Sequence, residues 1–275
     1  RKATPSGVSP HTTSVLEPNI PLPSQSIAIC TLSPCHQPLD SFCTWVASLT
    51  SIRISTPLSL APTAALAEIS LEVTHGESVA IVGANGAGKS TLLLHLNGVL
   101  LASRGRVVVG DLPVTKDTLP HVRRTVGTVF QDPDDQLFMP TVFDDVAFGP
   151  LNQGLPAAEV ARRVDEALLR VGMAALRDKP PYRLSGGEKK RVAIAGVLAM
   201  APDVLVMDEP TGGLDPHARR QLLRLLAEFT PTRIFTSHDL DLVLELCPRT
   251  IVLARGRVMA DGPTRDVFTD DALLR

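Results

Sequence analysis

The chain has 275 residues, 44% of them hydrophobic, and a formal net charge of −2 from 27 basic and 29 acidic side chains. That length admits one large domain or two small ones, and a near-neutral balance supplies no basic field, so no nucleic acid is expected as a partner. The longest nearly apolar run, residues 192–201, falls well short of the ~20 residues a membrane helix needs, so any membrane role is expected to require another subunit.

The N-terminal stretch has its own character. Ser, Thr and Pro fill 26 of the first 60 positions, and five of those 60 are charged. No period of 2 or 3.6 persists, and such a segment buries too little apolar surface to offset its ordering entropy. The chain starts at Arg1 and its first methionine is Met139. Residues 1–66 are therefore expected to be a disordered or non-native segment. Cys30, Cys35, His36 and Cys43 match no paired zinc spacing, so no zinc is expected there.

Regular patterning begins near Glu68. Ile69-Ser70-Leu71-Glu72-Val73 alternates like a half-buried strand, and after the turn at His75-Gly76-Glu77 residues 78–82 form the next. There follows Gly83-Ala84-Asn85-Gly86-Ala87-Gly88-Lys89-Ser90-Thr91, then the helical Leu92-Leu93-Leu94-His95-Leu96. Strand, glycine loop and helix are the context a phosphate-binding loop requires. Glycines let backbone N–H groups converge on an anion, and the helix adds its positive end. Lys89 supplies a charge for the β- and γ-phosphates and Ser90 a hydroxyl for Mg²⁺.

Further strands are expected at 106–109 and 125–130, then helices at 156–171 and 186–200. A buried strand at 204–207 precedes a helix at 218–229, a strand at 233–236, a helix at 240–246 and a strand at 250–253. The alternation implies an α/β fold with a mainly parallel sheet. Residues 134–184 lack strand signals and read as an inserted helical subdomain.

Two more motifs carry chemistry. Leu184-Ser185-Gly186-Gly187-Glu188 opens a helix, with Ser185 and Glu188 spaced as a capping box. A cap does not explain two glycines in a first turn, each costing about 1 kcal/mol relative to alanine. Close approach of an anion would. Asp208 and Glu209 follow an apolar strand, at the sheet edge where α/β folds bind ligands. Strand alternation points them opposite ways, so Asp208 suits Mg²⁺ through water and Glu209 suits polarising an attacking water. A solvated acidic turn is the competing reading of that pair.

Leu-Ser-Gly-Gly at 184–187, with the phosphate loop upstream and Asp208-Glu209-Pro210 downstream, resembles the nucleotide-binding subunit of an ATP-binding cassette (ABC) transporter. Gln131 after its strand resembles that family's glutamine loop, Gly213-Leu214-Asp215-Pro216 its D-loop, and His238 its switch histidine. The resemblance spans about 68–262. It implies a P-loop NTPase core over 67–262, a small N-terminal antiparallel β portion, the helical subdomain at about 134–184 and a C-terminal tail at 263–275.

It further implies that the loop from Gly83 to Thr91 holds the phosphates of ATP. Ser90 and Gln131 then ligate Mg²⁺, with Asp208 behind a water. Glu209 is the general base, and His238 contacts the γ-phosphate and holds Glu209. Ser185, Gly186 and Gly187 act on ATP held by a second ABC ATPase subunit, in a homo- or heterodimer.

The stretch after Gln131, Asp132-Pro133-Asp134-Asp135-Gln136-Leu137-Phe138 and residues 141–156, resembles the ATPases of energy-coupling-factor importers, closest to the cobalt/nickel branch. That implies uptake of cobalt or nickel powered by ATP, at the cytoplasmic face of the membrane. The implied partners are a transmembrane coupling subunit and a membrane substrate-binding subunit. A vitamin cargo, or a soluble ABC ATPase outside transport, are the alternatives. One departure concerns adenine: between Trp45 and Phe130 the chain has no Phe, Tyr or Trp to stack on the base, and the family's first strand is not recognisable.

Overall fold

Residues 51–55 and 65–270 are described in a computed structural model, and two sheets organise them. Four short strands form the smaller sheet in the order β2-β1-β4-β5: β1 (Ile52–Ser55), β2 (Ser70–Val73), β4 (Arg106–Val109) and β5 (Leu112–Pro113). All its pairings are antiparallel, as the small β portion requires.

Strand β1 corrects the expected domain boundary. It lies inside the segment read as unfolded, yet it pairs on one side with β2 and on the other with β4. Ile52 and Ile54 are buried while Arg53 and Ser55 are exposed. Four residues of alternation are too few to stand out in a Ser- and Pro-rich flank; two neighbouring strands supply what the pattern alone does not. Residues 1–50 and 56–64, with Cys30, Cys35, His36, Cys43 and Trp45, lie outside the described residues.

The larger sheet runs β10-β9-β3-β8-β7-β6. Its members are β3 (Ser78–Val82), β6 (Val126–Val129), β7 (Val204–Asp208), β8 (Thr232–Thr236), β9 (Arg249–Ala254) and β10 (Arg257–Pro263). Every pairing is parallel except that of β10 on β9. The edge strand β10 goes unannounced because it is half-exposed along its length and carries Asp261, Gly262 and Pro263.

Both faces of this sheet are covered, so its strands read as continuous apolar runs. Side chains alternate between two cores. Val79, Ile81, Val204, Val206 and Ile234 face the smaller sheet and Leu92, Leu93 and Leu96 of α1 (Lys89–Leu96). Ala80, Leu205, Met207 and Phe235 face the other side. There they meet α3 (Val142–Asn152), α4 (Ala157–Arg170), α5 (Gly186–Ala199), α6 (Pro216–Ala227) and α7 (Leu240–Leu246).

Residues 134–184 contain α3, α4 and short 3-10 turns and no strand, as the helical-subdomain reading expects. Helix α6 begins two residues before its expected start because Asp215 caps it and Pro216 takes its first position. The short α2 (Leu119–Thr125) was not foreseen. Where a C-terminal tail is expected, α8 (Thr264–Thr269) buries Thr264 and Val267 against the domain. Because β3, β6, β7 and β8 are parallel, residues 83–91, Gln131, Glu209 and His238 all emerge at one sheet edge.

Candidate nucleotide site

Strand β3 ends at Val82, and Gly83 opens the loop with φ 151°, where a Cβ would strike the Leu253 carbonyl oxygen. Gly88, at φ 104°, caps α1 without any side-chain bond; a Cβ there would sit 2.8 Å from Leu66 Cδ2 and 2.9 Å from the Ala65 oxygen. Packing thus demands glycine at both ends of the loop. No acidic residue occupies the first turn of α1. The first N–H groups of a helix lack internal partners, so this end offers donors and a positive dipole to an anion.

The Lys89 side chain is 7% exposed and folds back on its own loop. Its Nζ donates to the Gly83 carbonyl at 2.8 Å and to that of Ala84 at 3.3 Å, and lies 3.4 Å from Nε2 of His238. Ser90 is exposed and opens onto a cleft of about 650 Å³ that also takes in Gln131, Asp208 and Glu209. A hydroxyl, an amide and a carboxylate on one cleft are the oxygen donors Mg²⁺ accepts alongside waters.

Asp208 and Glu209 part ways more sharply than strand alternation predicts. Asp208 is the last residue of β7, but Glu209 turns to φ 45°, leaving the extended conformation. Thr236, opposite Asp208 on β8, organises the turn. Its hydroxyl donates to the Asp208 carboxylate, and the Glu209 N–H donates to the Thr236 carbonyl and hydroxyl oxygens, each at 3.1 Å. The Glu209 side chain is then 14% exposed. Its Oε2 accepts the His238 main-chain N–H at 3.1 Å, and Oε1 lies 3.3 Å from His238 Nε2. The ring nitrogen also reaches Oδ1 of Asn85 at 3.1 Å. The structure therefore brings Asn85, Lys89, Glu209 and His238 into direct contact.

His238 is held from behind. Asp239 caps α7 and takes two bonds from the Arg219 guanidinium of α6, at 2.5 and 2.6 Å. Arg219 holds the Asp239 carboxyl down to about 2. Thr236, Arg219 and Asp239 belong to no motif in the sequence; the one signal it offers is that Thr236 and Asp239 lie within two residues of His238.

Ser185, Gly186 and Gly187 stand apart. No hydrogen bond among the described residues joins them to residues 83–91. The capping box forms as expected: Ser185 N–H donates to Glu188 Oε2 at 2.7 Å, and Glu188 N–H to Ser185 Oγ at 3.3 Å. A Cβ on Gly186 would meet nothing within 4 Å, and one on Gly187 only Leu214 Cδ2 at 3.4 Å. The chain's own packing thus gives no reason for either glycine.

The sequence profile of the ABC transporter family matches residues 66–212. An ABC transporter ATP-binding protein of Geobacter sulfurreducens is 72% identical over 212 residues, covering 77% of this chain and 85% of that one. The energy-coupling factor transporter ATP-binding protein EcfA of Methanocaldococcus jannaschii is 50% identical, over 78% of each chain. Among solved structures, CbiO1 of Clostridium perfringens, part of the ABC transporter complex CbiONQ, aligns with a TM-score of 0.71 at 41% identity, over 82% of this chain and 93% of that one.

Proposed function

The chain belongs to the ABC transporter family as an ATP-hydrolysing subunit, and from that premise we propose that it powers an energy-coupling-factor importer of cobalt or nickel. The observation that carries the reading is the joint contact of Asn85, Lys89, Glu209 and His238 at the sheet edge. Similarity to EcfA and to a CbiONQ component supports the importer class. Among the described residues no three His, Cys, Asp or Glu side chains gather as a cargo site, so cargo is assigned to a membrane substrate-binding subunit.

In the proposed mechanism, residues 83–91 surround the phosphates of ATP. Lys89 exchanges the Gly83 and Ala84 carbonyls for phosphate oxygens, a stronger charge-assisted contact. Ser90 and Gln131, with Asp208 through a water, would hold Mg²⁺, which would supply positive charge to offset that of the phosphates. Glu209 accepts a proton from the water that attacks the γ-phosphorus, as the bond to the β-bridging oxygen breaks. His238 holds the Glu209 carboxylate by its main-chain N–H, with its ring 3.3 Å from the other oxygen, and that ring is assigned to the γ-phosphate. The exposed Ser185 and Gly186, with room at Gly187, serve the nucleotide of a second copy of this chain. ABC ATPases pair in this way and join transmembrane subunits. No helix of the described residues is long and apolar enough to cross a membrane.

The membrane-facing contact is assigned to the segment after Gln131. Phe138 and Phe148 are 64% and 41% exposed and meet edge to face at 5.1 Å, forming an apolar knob beside exposed Asp132 and Asp135. The third acid of that loop, Asp134, pairs with Lys189 at 2.6 Å. Transport tests the reading. Cells carrying the complex should accumulate radiolabelled cobalt or nickel, and Glu209→Gln should abolish uptake while still copurifying with the membrane subunits. Uptake of a vitamin with neither metal would reassign the cargo.

A further inference from the structure

Helix α5 holds a lysine that the chemistry above does not use. Lys190 is 2% exposed, five positions after Ser185, and no carboxylate pairs with it among the described residues. Its Nζ instead donates to two main-chain carbonyls, Gln131 at 2.7 Å and Phe130 at 3.3 Å. Burying an ammonium is unfavourable, and an apolar side chain of like volume would fill such a site at lower cost. Desolvation pushes the Lys190 ammonium down, opposed by Asp208, Asp132 and Glu209 around the cleft. A lysine is retained where packing alone calls for a hydrocarbon.

The same two segments are joined twice more. Gln136 accepts the Phe130 N–H at 3.2 Å and donates to the Ala193 carbonyl of α5 at 3.1 Å. Lys189 of α5 pairs with Asp134 at 2.6 Å. Residues 130–136 are thus gripped at three points by residues 189–193, while β6 has already ended at Val129. The Gln131 side chain faces the cleft with Ser90 and Asp208. The N-terminal end of α5, little more than one turn before Lys190, presents Ser185 and Gly186 to solvent.

We propose that Lys190 is a positioning residue that locks the Gln131 loop to α5, so that the loop serving one nucleotide and the helix end serving the other move as one body. This rests on the roles proposed above for Gln131 and for residues 185–187. Closing of the Gln131 loop on one nucleotide then presents residues 185–187 to the opposite nucleotide, and the two sites of the dimer sense each other through the Lys190 ammonium on the Phe130 and Gln131 carbonyls.

Hydrogen exchange on the full chain, titrated with Mg²⁺ in the presence of a non-hydrolysable ATP analogue, tests this. In the wild type, amides of 130–136 and 186–194 should gain protection at one common Mg²⁺ midpoint. In Lys190→Met the two midpoints should separate by about tenfold, the size of a typical coupling, and the Hill coefficient for ATP hydrolysis should fall toward one. Lys190→Arg, which keeps charge and donors, should restore the common midpoint. Separate midpoints in the wild type, or a common one in Lys190→Met, would overturn the proposal. Should Lys190→Met not fold, the wild-type titration and Gln136→Ala, expected to split the midpoints in the same direction, decide it. Wild-type protection absent at 83–91 would overturn the nucleotide reading and this proposal with it; protection there with unlinked segments overturns this proposal alone.

Discussion

The main-chain N–H of His238 donates to Oε2 of Glu209 at 3.1 Å, while Nε2 of the same residue lies 3.3 Å from Oε1. One residue therefore lies against both oxygens of the carboxylate, its backbone N–H bonded to Oε2 and its ring beside Oε1, which accepts no hydrogen bond among the described residues. The arrangement fixes the orientation of a base whose own backbone, at φ 45°, has left the strand.

Replacing His238 by alanine removes the ring contact and keeps the backbone one. We expect ATP turnover to fall about 10²-fold or more, the usual contribution of a positioned acid–base group. Nucleotide affinity should change less than turnover, because Lys89 and the main-chain donors of residues 83–91 remain although the ring's contacts to Asn85 and Lys89 are lost. Steady-state phosphate release and titration with a fluorescent ATP analogue separate the two effects.

Lys89 is the charge that phosphate must recruit. Lys89→Ala should weaken nucleotide binding by about 10- to 100-fold, consistent with loss of a charge-assisted contact. Isothermal titration with ATP checks it. An unchanged affinity would mean that Nζ stays on the Gly83 and Ala84 carbonyls when nucleotide is bound.

Two glycines should answer the same substitution in opposite ways. Gly83→Ala places a Cβ on the Leu253 carbonyl oxygen and should lower the melting temperature and nucleotide binding together. Gly186→Ala has open space and a helical position, so it should stabilise the isolated chain by about 1 kcal/mol. If residues 185–187 approach a partner's nucleotide, it should nonetheless cut hydrolysis. Differential scanning fluorimetry and a turnover assay on the same samples test the pair.

The chemistry-bearing loops were legible in the sequence because each needs a fixed residue order at a strand end. Residues 83–91, Asp208-Glu209 and His238 fall at the sheet edge where the pattern put them. Strand β1 was not legible: its identity comes from its two neighbours, not from its flanks. The antiparallel edge β10 and the short α2 and α8 carry weak periodicity for the same reason. Thr236 and Arg219 escaped notice because their importance lies in cross-element bonds that no linear spacing displays. The divergence of Asp208 and Glu209 was foreseen for the wrong reason, alternation in place of a left-handed turn.

The Arg219–Asp239 pair makes a pH prediction. The Asp239 carboxyl is held at about 2, below its ordinary 3.8, chiefly by hydrogen bonds from Arg219. A depressed carboxyl adds stability that is present above its unfolded value and lost as pH falls through its folded value. Arg219→Met should therefore be less stable than wild type near neutral pH. The gap should narrow as pH drops from about 4 toward about 2. Urea unfolding across that range measures it, and a gap constant with pH would assign the loss to packing. The same variant frees Asp239 behind His238 and should slow turnover.

The central claim is a composite site, in which one copy's phosphate loop meets residues 185–187 of another, with Glu209 as base. Light scattering of Glu209→Gln, with a phosphate-release assay on the same sample, tests it most directly. Without nucleotide the variant should run at its chain mass of 29.4 kDa; with Mg²⁺ and ATP it should double and release no phosphate. A chain that binds ATP yet stays at single mass, or that hydrolyses ATP at the wild-type rate, would contradict the account.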